Sequence, residues 1–143
     1  MKNILPAIAA TAALFSLALA GDAPPAGAVV KDAGELDFKA SGSVPPGAEY
    51  HLIHEDKATS AIQSLVRFPG GYFLPPHAHS HEEVLFVVKG GMTVGLGDKS
   101  FSVGKGGYAV IPAGMTHTIK TKGWVKTELM VSVSGPFDLK LVK

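Results

Sequence analysis

The chain of 143 residues contains no cysteine, which excludes disulfide staples and thiolate metal sites. Basic runs are also missing, since Lys and Arg never occur more than two in a row. Thirteen basic residues against twelve acidic ones leave a formal charge of +1, so a nucleic-acid partner has no electrostatic footprint. Beyond the first twenty residues there is no helical hydrophobic period and no apolar run long enough to span a membrane, which argues against a helical bundle and an integral membrane protein. Internal repeats are absent. What is plentiful is turn chemistry. Seventeen glycines and ten prolines, most of them after residue 20, favour a turn-rich β protein in one domain.

The first twenty residues, MKNILPAIAATAALFSLALA, join Lys2 to an apolar stretch that ends in Ala18-Leu19-Ala20. That is the pattern of a secretory signal cleaved after Ala20, and the stretch is short and alanine-rich for a permanent anchor. Export to a periplasm or the medium is therefore expected, with no stable membrane span after signal removal. Without Lys2 the basic and acidic counts are equal, at twelve each. Residues 21–44 open with GDAPPAGAVVKDAG, which is small, proline-containing and aperiodic, and they are expected as a flexible leader. Residues 45–143 are expected to form the folded domain.

Within that domain short apolar segments alternate with turn signals. AIQSLVRF (61–68) closes at Pro69-Gly70-Gly71, and VLFVV (84–88) closes at Gly90-Gly91. Residues 92–96 and 99–103 flank Gly97-Asp98, a hairpin signal. Further strands are expected over 108–111, 117–120, 127–133 and 137–142. Eight to ten short strands at this spacing predict an all-β sandwich or barrel.

The densest chemistry lies in PPHAHSHEEVLF, where three of the six histidines and two glutamates fall between His77 and Glu83. On a strand, His77 and His79 point to one face with Cα atoms roughly 7 Å apart, at a rise of about 3.3 Å per residue. A straight strand would leave Glu83 roughly 20 Å from His77 by the same rise. The chain must therefore turn around Ser80, His81 and Glu82 for Glu83 to join the pair. Imidazoles with a carboxylate suit Mn, Fe, Ni, Cu or Zn. His117, in IPAGMTHTI, is a fourth candidate that a distant part of the sheet can deliver to the same face. His51 and His54 have no such partners in sequence and are expected on the surface. The turn places His81 off the ligand face. Arg67 is either a contact for an anionic substrate or simply solvated.

At this point the chain resembles a cupin. The first cupin motif is matched by Gly71, His77, His79, Glu83 and Gly90, with every fixed position filled. The second is matched by Gly106, Pro112, Gly114 and His117, and departs only at Thr121, where the motif has asparagine. Fifteen residues (91–105) separate the two motifs, as in compact single-domain cupins. The resemblance implies a double-stranded β-helix, or jelly-roll barrel, with one divalent transition metal held by His77, His79, Glu83 and His117. It implies either an oxygenase-, decarboxylase- or isomerase-type metalloenzyme for a small polar or carboxylate compound, exported oxalate chemistry being one option, or a non-catalytic binding or sensory barrel. Tyr72, Phe73, Leu74, Phe86, Met92 and Met115 are candidate pocket residues or plain core, and His81 and Glu82 are weak candidates for a proton-transfer group. A homodimer is expected, because the uninterrupted 84–88 run fits a strand buried on both faces.

Overall fold

The structure, a computed structural model, describes residues 24–142. The secretory signal expected over 1–20 lies outside the described residues. In chain order the strands are β1 (Lys39–Ala40), β2 (Glu49–Glu55), β3 (Ile62–Phe68), β4 (Phe73–Ala78), β5 (Glu83–Lys89), β6 (Gly91–Leu96), β7 (Lys99–Gly104), β8 (Tyr108–Ile111), β9 (His117–Thr121), β10 (Thr127–Val133) and β11 (Lys140–Leu141). They form two antiparallel sheets, ordered β1-β2-β3-β10-β5-β8 and β11-β4-β9-β6-β7. The all-β jelly-roll barrel expected from the sequence is the fold observed.

The core follows from the two-residue period of a half-buried strand. Along β10, Thr127, Leu129, Val131 and Val133 point inward, while Met130 is exposed and Glu128 and Ser132 are half-buried. They meet Leu85 and Val87 of β5 and Met92 and Val94 of β6, all buried between the sheets. The 84–88 run is apolar throughout. It buries only Leu85 and Val87, with Phe86 exposed on the outer face.

Two threonines fasten the turns of this barrel. The Thr121 hydroxyl donates to the Pro69 carbonyl at 2.7 Å and accepts the Tyr72 N–H at 2.8 Å. Threonine at the motif position usually held by asparagine therefore clasps the turn that leads into β4. Thr127 does the same for Gly91, donating to its carbonyl at 2.9 Å and accepting from its N–H at 3.3 Å. Gly90 beside it has φ +77, and a Cβ there would lie 2.7 Å from the Thr127 hydroxyl oxygen, so a side chain is excluded by both conformation and space.

Three details depart from the sequence reading. Strand 137–142 contracts to β11. β2 carries a bulge between Leu52 and His54, which breaks the alternation that would have marked it as a strand. His51, expected on the surface, is buried, and its Nδ1 pairs with the Asp37 carbonyl at 2.9 Å. His54 is exposed, as expected.

Within the segment expected as a leader, residues 37–44 are tied to the barrel, as is Pro45 beside them. β1 pairs with β2, the Ser41 N–H reaches the Ala48 carbonyl at 2.9 Å, and the Tyr72 hydroxyl donates to the Pro45 carbonyl at 2.5 Å. The Arg67 guanidinium sits 3.4 Å from the centroid of the Phe38 ring, and its Nε donates to Glu128 at 2.8 Å. Arg67 thus clasps this segment to the sheet through Phe38 and Glu128.

Candidate metal centre

Four side chains reach one point because two irregularities re-aim the chain. The first is Pro75-Pro76. Neither residue can donate a ladder hydrogen bond, and the β4–β9 register shifts between Leu74 and His77. A strand without that shift would place Leu74, Pro76 and Ala78 on one face. The extra residue flips the phase, so Leu74, His77 and His79 all face inward and are buried. The second is the bend at Ser80 and His81, which returns the chain so that Glu83 opens β5 on its buried face. His117 opens β9 directly opposite His77 in the register. The turn before it, Pro112-Ala113-Gly114, is fixed to the cluster by the Gly114 N–H, which donates to the His79 carbonyl at 2.8 Å with Gly114 at φ +76.

His77, His79 and His117 each present one candidate ligand nitrogen, and these nitrogens all lie within 4.8 Å of one another. Glu83 completes the group. One carboxylate oxygen lies 3.5 Å from Nε2 of His79 and the other 3.2 Å from Nε2 of His117. All four side chains are almost fully buried. On the far side of each ring, Nδ1 faces a backbone carbonyl: Pro75 for His77 (2.7 Å), Met115 for His117 (3.1 Å) and Asp138 for His79. A carbonyl accepts only, so Nδ1 carries the proton and Nε2 presents a lone pair to the centre.

The consequence is an electrostatic misfit that an ion resolves. Nε2 of the three histidines and one oxygen of Glu83 are buried with no hydrogen-bond partner among the described residues. Each such orphaned group costs about 1–3 kcal/mol, and here the lone pairs also face one another. A cation among them would satisfy all four at once, so the residues present fit a divalent transition metal. Burial pushes His77 down to about 4, reinforced by the neighbouring His117 and His79 and opposed by the Pro75 carbonyl. It is therefore neutral at pH 7, the form that ligates.

His79 has a further support that its sequence neighbourhood does not reveal. Asp138, whose carbonyl holds the ring, accepts with its carboxylate from the Ser80 hydroxyl (2.6 Å) and N–H (2.8 Å), and Lys140 lies 3.3 Å away. These contacts hold the Asp138 carboxyl below the usual carboxylate range, the two Ser80 hydrogen bonds first and Lys140 after them. The Phe137 ring packs 5.4 Å from that of His79. Nothing in FDLK signals this role, since the contact spans 59 residues and runs through a backbone atom.

A cavity of about 300 Å³ opens beside the centre, bounded by His77, His79, Glu83, β3 and residues 40–44. Of the pocket candidates read from the sequence, only Leu74 lines it. Tyr72 and Met92 belong to the core, while Phe73, Phe86 and Met115 are exposed. His81 is half-buried, with its ring packed against Gly135, and Glu82 is exposed; neither lines the cavity.

Comparison with known proteins agrees with this fold. Residues 64–133 match the family described as "Cupin domain". Among solved structures, the polyketide cyclase RemF from Streptomyces resistomycificus aligns with TM-score 0.68 at 19% identity, covering 81% of this chain and 86% of that one. The cupin domain of Cnp3 from Schizosaccharomyces pombe aligns with TM-score 0.57 at 18% identity, over 62% of this chain and 61% of that one. An oxalate oxidase aligns with TM-score 0.57 at 28% identity, over 73% of this chain and 60% of that one. The match thus spans about three fifths of the Cnp3 domain and of the oxalate oxidase. No curated protein sequence matches the chain. The family match and the structural neighbours together support the cupin superfamily.

Proposed function

We propose that this cupin is an exported metal-dependent enzyme acting on a small polar or carboxylate compound, with one divalent ion held by His77, His79, Glu83 and His117. The observation that carries the reading is the set of four buried, inward-facing and unpartnered ligand atoms. Bound there, a metal supplies polarisation of an oxygen, activation of water or binding of dioxygen, which fits an oxygenase-, decarboxylase- or isomerase-type reaction. The chain's own residues do the positioning. Three backbone carbonyls fix the imidazole tautomers, Glu83 brings an anionic donor, and the cavity offers the substrate a mainly apolar wall. Export rests on the N-terminal pattern of the sequence.

A second reading is a non-catalytic binding or sensory barrel in which the metal anchors a ligand. It is favoured by the cavity lining, which among the described residues holds no Lys, Arg or Asp and, beyond the ligand set, no titratable side chain except Tyr50. Oxygen-uptake and decarboxylation assays on the loaded protein separate the two readings, because turnover excludes the second. A homodimer is supported by a contiguous apolar row on the outer face, where Met130 pairs with Phe86 and Phe86 with Tyr108, all three exposed. Light scattering on the purified protein tests it.

The metal reading is tested by elemental analysis of protein purified from its own compartment without chelator or histidine tag. About one equivalent of a first-row metal is expected. Replacing His77 and His79 together with alanine should abolish it while the far-ultraviolet circular dichroism stays that of a β protein. Normal metal content in the double variant would overturn the assignment.

A further inference from the structure

Building on the metal-centre reading, we propose that the ligand of this site is a small monocarboxylate, or a like oxygen-headed compound, with an apolar body. Its head group sits at the His–Glu centre and its body fills the cavity. Away from the centre, the walls are mainly hydrocarbon: Leu52, Ile62, Val66, Phe68, Val131 and Leu139. The polar groups among them are neutral hydroxyls, such as those of Ser64 and Tyr50, enough to orient a ligand but not to neutralise a charge. Among the described residues no lysine or arginine lines the space, and Arg67 is engaged elsewhere by Glu128 and Phe38. A second carboxylate, as in a dicarboxylate, would therefore be stripped of water with no counter-charge. The charged chemistry of the cavity is concentrated at one end, which selects a molecule with one polar end.

Size follows from volume. At roughly 30 Å³ per water-sized group, about 300 Å³ admits a ligand of roughly ten non-hydrogen atoms. One wall is the segment 40–44, Ala-Ser-Gly-Ser-Val, whose small side chains leave that space open. It is pinned on either side by the β1–β2 pairing and by the Tyr72 bond to Pro45, so the wall is part of the fold.

The test is a chain-length series of straight carboxylates, acetate to octanoate, titrated calorimetrically into full-length mature protein whose metal content has been measured. Each added methylene should tighten binding by about fourfold, from about 0.8 kcal/mol per buried CH₂, until the body fills the cavity near octanoate. Adipate, which is hexanoate with a second carboxylate at the far end, should bind more weakly than hexanoate. Ser64→Leu, which fills the wall at a buried position of β3, should stop the gain several methylenes earlier, with metal content and circular dichroism reporting that the barrel is intact. A flat series, or adipate binding tighter than hexanoate, on metal-loaded protein overturns this inference and leaves the metal reading standing. A protein that takes up no metal overturns both the metal reading and the anchored head group.

Discussion

Glu83→Gln should change stability in opposite directions depending on whether metal is bound. In the metal-free barrel the carboxylate faces Nε2 of His79 and of His117 at 3.5 and 3.2 Å, and both nitrogens and one carboxylate oxygen have no hydrogen-bond partner among the described residues. An amide of nearly the same shape keeps one oxygen and adds an N–H group that can donate to one of those nitrogens. That repairs a buried orphaned acceptor and removes a lone-pair clash, about 1–3 kcal/mol in favour of the variant. Since 1 kcal/mol moves a thermal midpoint by roughly 2–8 °C across common domain sizes, the chelated variant should melt several degrees above the chelated parent. With metal the order should reverse. A ligand present at a hundred times its Kd stabilises the native state by about 2.7 kcal/mol, and a neutral amide oxygen binds the ion less tightly than a carboxylate does. The metal affinity of Glu83→Gln should still exceed that of a variant lacking one of the histidines, because one donor oxygen remains. Thermal unfolding of both proteins, with chelator and then with a fixed excess of metal, gives the four numbers needed. A chelated variant less stable than its parent would show that Glu83 already has a donor partner in the empty site, and the misfit reasoning would fail.

Two further outcomes follow from the same geometry. His77 has its pKa lowered from 6.5 to about 4, so between those values the unfolded chain carries a proton that the folded chain refuses. Stability of the metal-free protein should therefore fall as pH drops from about 6.5 to about 4, by about 3 kcal/mol at most, and urea unfolding of wild type against His77→Phe should show that slope only in the former. Thr121→Val keeps the shape but strips the hydroxyl from both the Pro69 carbonyl and the buried Tyr72 N–H, so a loss of about 1–3 kcal/mol is expected with little change in metal affinity. An equal loss of metal binding would mean that this clasp also sets the His77 strand.

Much of the centre could be read from spacing. His77 and His79 share a face, a turn after His79 returns Glu83, and the two motifs supply His117 by resemblance. The glycines at positions 71, 90, 106 and 114 stand where the backbone takes φ between +71 and +81, a conformation open to glycine and closed to most other residues, so their pattern is legible in one dimension. The alternation of β10 is equally local, because one solvated face leaves polar residues at every second position.

Other features became visible only in three dimensions. VLFVV is apolar throughout, so nothing in it says that Leu85 and Val87 turn inward and Phe86 outward; the pairing of β5 between β10 and β8 decides that. His51 looked like a surface histidine until residues 37–40 covered it. Arg67 could be assigned to Phe38 and Glu128 only by neighbours in space. The Asp138 carbonyl that fixes His79 is a backbone atom, identical in every residue, and no sequence pattern can mark it. What the sequence by itself determined was the fold class, the residue types gathered at the candidate centre and the turns, because these depend on local conformation and side-chain chemistry. The tertiary structure decided which lone pairs are left unpartnered, which faces are buried and how apolar the cavity is, because each depends on pairs of residues that approach one another only when the sheets close.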